Sequence, residues 1–339
     1  MATTKTAAVV GAGVIGAAWA ARFALAGVDV RVVDPNPDTS RIISEVFANA
    51  RHAWQELELD PESLTRGSLK IVDSITEAVV DADHVQESAP ENLEVKRTIL
   101  EQIDAHAPID SVIASSTSGL KPSDLQATLT HPQRLVVGHP FNPVYLLPLV
   151  EVCGGTQTEQ WAIETALETY ASLWMKPLHV RVEIDAFIAD RLLEAVWREA
   201  LWLVHDGVAT TSEIDDAIRY GFGLRWAQMG LFETYRAAGG EGGMEHFIRQ
   251  FGPTLALPWS KLTDVCELND ELVERIVAQS EAQSGQYSVR TLERIRDRNL
   301  VGILKALEAN DWAAGNVLAT QRASIREDSS QFSQQLSLY

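Results

Sequence analysis

His139 and Glu151 bracket most of the segment HPFNPVYLLPLVEV, residues 139–152. An imidazole is the side chain best suited to take a proton near neutral pH. A carboxylate on its other ring nitrogen fixes the tautomer and steadies the imidazolium as it forms. Asn142 lies in the same stretch between Pro140 and Pro143, which restrict its backbone. The run SSTS at 115–118 adds hydroxyls at the end of the preceding predicted strand. Polar, titratable groups in a rigid apolar setting are what a preorganised site for proton abstraction requires. The structural alternative is a core histidine and an unrelated strand glutamate, and the rest of the chain decides between the two.

The glycine run GAGVIG at 11–16 supplies the second half of the chemistry. It sits between a predicted strand and a predicted helix, and Asp34 ends the next strand. In this context Gly11 permits the tight turn, Gly13 lets a pyrophosphate approach the backbone, and Gly16 lets the helix pack on the strand. Val14 and Ile15 open the helix, whose free N–H groups face the phosphates. Asp34 accepts hydrogen bonds from ribose hydroxyls and repels a 2′-phosphate. Pro35 and Asn36 follow it with no arginine, so the pattern favours NAD over NADP. FAD shares the fingerprint, but a base that takes an alcohol proton needs a hydride acceptor beside it, and NAD is that acceptor.

These groups require a framework that brings strand ends together. Strands are expected at 7–10, 28–34, 69–75, 84–89, 111–118, 134–140, 149–155 and 178–183, with helices between several of them. A helix over 14–26 is closed by Gly27. Strands alternating with helices predict an α/β fold, a Rossmann-type doubly wound sheet over residues 1–184. From IDAFIADRLLEAVWREALWLVHDG onward the pattern is helical, so an all-α C-terminal domain is expected over 185–325. A loose polar tail is expected at 326–339.

The chain of 339 residues has 46% hydrophobic residues, 22% charged residues and a net charge of -19. It is large enough for two globular domains. Its field disfavours nucleic acid and polyanionic ligands. Cys153 and Cys266 form no CxxC pattern, and no disulfide framework or metal site is expected from them. The apolar start contains glycines and Arg22 and reads as strand, turn and helix rather than as a leader or a membrane span. A cytoplasmic protein without a membrane partner is expected.

GAGVIG, PENLEVK, ASSTSGL, HPFNPVYLLPLVEV and AFIADRL occur in this order. Over roughly residues 5–290 the chain thereby resembles the 3-hydroxyacyl-CoA dehydrogenase superfamily. The resemblance implies an NAD-binding Rossmann domain and a helical C-terminal domain through which the chain forms a homodimer. It implies His139 as base, Glu151 as its partner, Ser118 on the substrate hydroxyl, and Asn142 beside nicotinamide and substrate. Glu91 and Lys96 of PENLEVK would lie along the ribose and nicotinamide side of the cofactor. Taken alone, that pair reads as the charge pattern of a helix start. One departure stands out: the family usually has asparagine where this chain has Asp190. Facing the pocket, Asp190 suits a cationic substrate; otherwise it pairs with Arg191 or Arg198.

The stretch 35–70 offers only Arg41, Arg51, Arg66 and Lys70 as fixed cations, which argues against an acyl-CoA. RYGFGLRWAQMGLFETYRAAGGEGGMEHF, 219–247, crowds Tyr220, Phe222, Trp226, Phe232 and Tyr235 around Glu233. Aromatic faces near a carboxylate hold quaternary ammonium groups, at ~0.5–2 kcal/mol per face; ordinary helix packing is the other use of such residues. Phe141 and Tyr145 are further candidates for a cationic end, and Arg225 for a substrate carboxylate. The resemblance, carried further by GFGLRWAQMGLFETYRAAGG and HPFNPVYLLPLVEV, implies a small 3-hydroxy acid with a trimethylammonium group as substrate. The alternatives are a polyhydroxy acid, a short 3-hydroxyacyl-CoA, or a non-catalytic NAD-binding protein on the same fold.

Overall fold

The structure is a computed structural model. It describes residues 4–59, 67–238, 243–251, 269–284 and 289–336, with residues 241, 260, 286 and 287. Arg66 and Cys266 lie outside the described residues. Two compact units are present: residues 1–188 with 294–339, and residues 189–293.

The first unit holds one eight-stranded sheet of order β3-β2-β1-β4-β5-β6-β7-β8. β1 (Thr6–Val10), β2 (Asp29–Val33), β3 (Leu69–Ile71), β4 (His84–Glu87), β5 (Val112–Ser115) and β6 (Leu135–Pro140) run parallel. β7 (Leu149–Gly154) turns antiparallel to β6, and β8 (Lys176–His179) runs parallel to β7. The β1, β4 and β5 segments are buried throughout or nearly so, as parallel strands covered on both faces must be. Two expected strands are corrected. The strand expected at 69–75 stops at Ile71, because Ser74 caps the next helix by accepting from the Glu77 N–H. The last strand lies at 176–179 rather than 178–183, because the Lys176 N–H already bonds the Pro148 carbonyl and starts the ladder there.

α1 (Val14–Leu25), α2 (Thr39–Glu56) and α6 (Gln160–Ser172) contribute Trp19, Phe23, Trp54 and Tyr170 to one apolar cluster. α3 (Ile75–Val79), α4 (Leu93–His106) and α5 (Pro122–Gln126) contribute Ala78, Leu100, Ile103 and Leu125 to the other. The C-terminal helices α12 (Val289–Glu308) and α13 (Ala314–Leu336) add Val301, Leu304, Leu318 and Ile325 to the first cluster. This corrects the expected domain boundary and the loose tail. From Arg294 onward the chain belongs to the nucleotide-fold unit. Arg322 anchors it there, to Glu308 and Glu58. Residues 326–336 continue α13 rather than forming a loop.

The second unit contains α7 (Ala189–His205), α8 (Thr211–Ala217), α9 (Gly223–Ala238), α10 (Gly243–Phe251) and α11 (Asp270–Ser284). Thr210 and Glu213 form a reciprocal capping box at the start of α8. Gly230, at φ 68°, breaks α9 where a residue with a Cβ would be strained. No helix among the described residues is long and apolar enough to cross a membrane.

His84 on β4 is fully buried beside Phe23 and Tyr170, and burial lowers its pKa from 6.5 to about 4. Between those values the unfolded chain binds more protons than the native one, so stability rises with pH across that window and falls as the solution is acidified through it. Relative to His84→Phe, the native chain is expected to lose on the order of 3 kcal/mol of unfolding free energy between neutral pH and pH 4. Urea melts at a series of pH values check this. Parallel pH profiles for the two proteins would remove His84 as the cause.

Candidate active site

The glycine turn has the geometry its spacing predicts. Gly11 has φ 96°, and a Cβ on it would meet the Ser88 carbonyl oxygen at 2.6 Å. A Cβ on Gly16 would meet the Gly11 carbonyl oxygen at 1.8 Å, so helix and turn touch directly. A Cβ on Gly13 would meet nothing within 4 Å. Gly13 opens into a cleft of about 570 Å³ lined by Val14, Ile15, Asp34, Ile75, Ser88 and Val95, among others. No side chain caps the N-terminus of α1, so its N–H groups are open to phosphate oxygens. Asp34 accepts from the Ala12 N–H (2.6 Å) and the Asn36 N–H (2.8 Å) and remains partly exposed. Its carboxylate thus braces the turn and still has lone pairs for ribose hydroxyls. Arg41, the nearest downstream arginine, is tied to Asp38 and Glu45. The residues present fit NAD. Asp34→Ser is expected to weaken NADH binding about tenfold and to narrow the preference for NADH over NADPH. Fluorescence titration of both nucleotides checks this, and an unchanged ratio would dismiss Asp34 as the selector.

The antiparallel register of β6 and β7 sets His139 directly opposite Glu151. Opposed residues project to the same face, where their side chains meet. His139 Nδ1 lies 3.0 Å from Glu151 Oε2, with both residues buried. Glu151 Oε1 accepts from the Ile188 N–H at 3.0 Å, so both carboxylate oxygens are held. Phe141 meets the imidazole edge-on at 5.1 Å and Phe187 lies at 5.8 Å, so the ring sits in an apolar slot. Asn142 is exposed beside it, in a cis bond to Pro143.

Ser118 is exposed, and its loop is gripped from below. Glu91 Oε1 accepts from the Thr117 hydroxyl and from the N–H groups of Ser118 and Gly119, both at 3.2 Å. Lys96 is buried. Its ammonium donates to Glu87 (2.9 Å) and to the Ala89 carbonyl (3.0 Å), and it lies 3.5 Å from Glu91. Glu87 also accepts from the Ser115 hydroxyl and the Ala89 N–H. Lys96 therefore shapes the strand ends from within the protein, while the exposed Glu91 holds the serine loop. Glu87 was not singled out by sequence; its signal was an acid inside an otherwise apolar strand, nine residues before a lysine.

Tyr145 corrects an expectation. It is 4% exposed, its hydroxyl donates to Asp297 at 2.6 Å, and its carbonyl accepts from Arg22 and Trp54. It pegs the loop after His139 to the core and presents no face to a cation. Burial also lowers the Arg22 pKa to about 9. Within the helical unit, ring contacts join Phe222 to Trp226 at 4.5 Å and Tyr235 to Phe247 at 4.5 Å. These residues form two separate groups, and Phe232 and Tyr220 are among the most exposed apolar side chains. Arg225 lies on α9 and is exposed. Asp190 lies in the first turn of α7, where its charge favours the helix dipole. Cys153 is buried, and its pKa is pushed up to about 12 chiefly by that burial. Among the described residues no group of three or more His, Cys, Asp or Glu side chains is placed to hold a metal.

A dinucleotide cleft at the carboxyl end of a doubly wound sheet, with a buried histidine–carboxylate pair beside it, is the arrangement of an NAD-dependent hydroxy acid dehydrogenase. The NAD-binding domain of 3-hydroxyacyl-CoA dehydrogenase matches residues 6–184, and the C-terminal domain of the same family matches residues 187–287. The chain belongs to that family. It is 59% identical over 311 residues to the L-carnitine dehydrogenase/betainyl-CoA thioesterase of Agrobacterium fabrum, covering 92% of this chain but 63% of that protein. It is 56% identical to the L-carnitine dehydrogenase of Mesorhizobium japonicum, covering 93% of this chain and 88% of that one. For the L-carnitine dehydrogenase of Pseudomonas putida the identity is 51%, with 92% and 96% covered. Among solved structures, an NAD+-dependent dismutase, 5-formyl-3-hydroxy-2-methylpyridine 4-carboxylic acid 5-dehydrogenase, aligns with a TM-score of 0.77 at 25% identity, covering 90% of this chain and 99% of that one.

Proposed function

We propose that the chain oxidises L-carnitine at C3, giving 3-dehydrocarnitine and NADH. The observation that carries the reaction type is the buried 3.0 Å contact between His139 and Glu151. The names of the relatives support the substrate. A carboxylate is an acceptor only, so the imidazole proton sits on Nδ1 and Nε2 carries the lone pair. That lone pair takes the proton of the C3 hydroxyl. The glycine turn and Asp34 would hold NAD, which would supply the hydride acceptor for C3. Glu151 balances the charge that develops on the ring, and Ser118 and Asn142 hold the hydroxyl oxygen. Phe141 offers a ring beside the base to the trimethylammonium end. Each turnover releases one proton, so the equilibrium moves toward oxidation about tenfold per pH unit. The reading concerns the dehydrogenase activity in the relatives' names and not the thioesterase.

The exposed apolar side chains Leu192, Leu193, Trp197 and Phe232 of the helical unit support a homodimer formed through that unit. A cytoplasmic location completes the proposal. The test is NADH formation at alkaline pH with L-carnitine, D-carnitine, L-gulonate and 3-hydroxybutyrate in parallel. Turnover of L-carnitine alone is the expected result. Turnover of L-gulonate without L-carnitine would replace the substrate with a polyhydroxy acid. NAD binding without turnover of any of them would make the chain a binding protein.

A further inference from the structure

Behind the strand ends runs a chain of polar groups that the catalytic pair does not use. It starts at Tyr170 on α6, whose hydroxyl donates to Gln86 Oε1 at 2.7 Å. Gln86 Nε2 faces the Gly138 carbonyl at 3.2 Å and the Ser116 hydroxyl at 2.8 Å. A carbonyl only accepts, so the amide orientation is fixed: its NH2 points to Gly138 and Ser116. His84 Nε2 at 3.3 Å from Gln86 Oε1 fills the remaining lone pair. All four hydrogen-bonding positions of this fully buried amide are thereby used. Gly138 must be glycine, since a Cβ there would meet the Tyr170 hydroxyl at 1.9 Å.

Ser116, having accepted from Gln86, lies 2.9 Å from the Ser88 hydroxyl. Either atom of that pair can donate; when the chain runs Tyr170, Gln86, Ser116, Ser88, the proton without an acceptor in the chain is that of Ser88 rather than that of Ser116. Ser88 lies at the carboxyl end of β4, half-buried, and lines the dinucleotide cleft. Its carbonyl is also what a Cβ on Gly11 would strike. Asp34 directly follows β2, on the far side of β1 from β4. With the adenosine ribose at Asp34 and the pyrophosphate over the glycine turn, the rest of the dinucleotide must run toward β4 and β5.

We propose that Ser88 is a cofactor-binding residue whose hydroxyl, oriented by the Tyr170–Gln86–Ser116 chain, donates to an oxygen of the pyrophosphate or the nicotinamide ribose. Ser116 acts through Ser88 and is a positioning residue. The same chain ties β4, β5 and β6 together one residue before His139, so cofactor and base are indexed to one buried amide.

The experiment is equilibrium titration of NADH, ADP-ribose and AMP into the native protein, Ser88→Ala, Ser116→Ala and the double variant, with a thermal melt of each. Ser88→Ala is expected to weaken NADH and ADP-ribose about 5- to 10-fold and to leave AMP unchanged. Ser116→Ala is expected to weaken both by about 2- to 3-fold, and to have no further effect once Ser88 is alanine. Unchanged NADH affinity in Ser88→Ala would overturn the proposal. So would an equal loss of AMP, which would indicate a distorted turn. Additive losses in the double variant would overturn the relay. If Ser88→Ala melts early, Ser116→Ala alone decides through its NADH-to-AMP ratio, which moves only if the hydroxyl chain orients a donor.

Discussion

His139→Ala is expected to lower the turnover number for NAD-linked oxidation by about 10²–10⁴ while NADH binds within about twofold of the native protein. The first half follows from removing the imidazole proposed to take the hydroxyl proton. The second follows from position: the dinucleotide cleft is built by residues from Val10 to Ile99, and His139 is not among them. Glu151→Gln tests a different quantity. The amide still faces Nδ1 and can still accept through its oxygen, but it carries no charge to balance the imidazolium, and its NH2 competes for the same position. A loss smaller than that of His139→Ala, confined to turnover, is the expected result. Turnover by His139→Ala near the native rate would remove the base assignment and leave Glu151 as a buried strand acid held by Ile188.

The glycine turn and the histidine pair were legible in the sequence for the same reason: both depend on short-range geometry. GAGVIG needs only a strand before it and a helix after it. His139 and Glu151 need only a connection that reverses the chain between them, and the prolines at 140, 143 and 148 announced one. What depended on distant chain was not legible. Tyr145 reads as an aromatic beside the base until Asp297, 152 residues later, takes its hydroxyl. That contact exists because α12 returns to the first unit, and no local signal in 294–336 separates a helix of one domain from a helix of the other. The crowd at 219–247 reads as five aromatic residues and leaves out Phe247, on which Tyr235 stacks. Spacing on a helix broken at Gly230 could not say which rings face each other. Gln86 was hidden for a further reason. Its importance lies in filling four hydrogen-bonding positions at once, which is a property of the packed state and not of the residue.

Lys96→Met is expected to destabilise the first unit by about 3–5 kcal/mol. Lys96 and Glu87 have side chains 1% and 0% exposed and lie 2.9 Å apart. Removing the ammonium leaves the Glu87 carboxylate buried with only the Ala89 N–H and the Ser115 hydroxyl as partners. Two hydrogen bonds do not replace hydration of a full charge. Thermal melts of the single variant should show a drop of roughly 6–20 °C. Combining it with Glu87→Gln should recover most of that loss, because the pair is then neutral on both sides and nothing charged remains buried. A single-variant loss below about 1 kcal/mol would mean that solvent reaches the pair and that its burial is not the source of its strength. The effect on function separates from stability through Glu91. Lys96 lies 3.5 Å from Glu91 Oε2, and Glu91 Oε1 holds the loop that carries Ser118. The double variant restores the neutral core without restoring that contact. It should therefore melt near the native temperature and still show a raised KM for the hydroxy acid. A double variant with both native stability and native KM would make Lys96 structural alone.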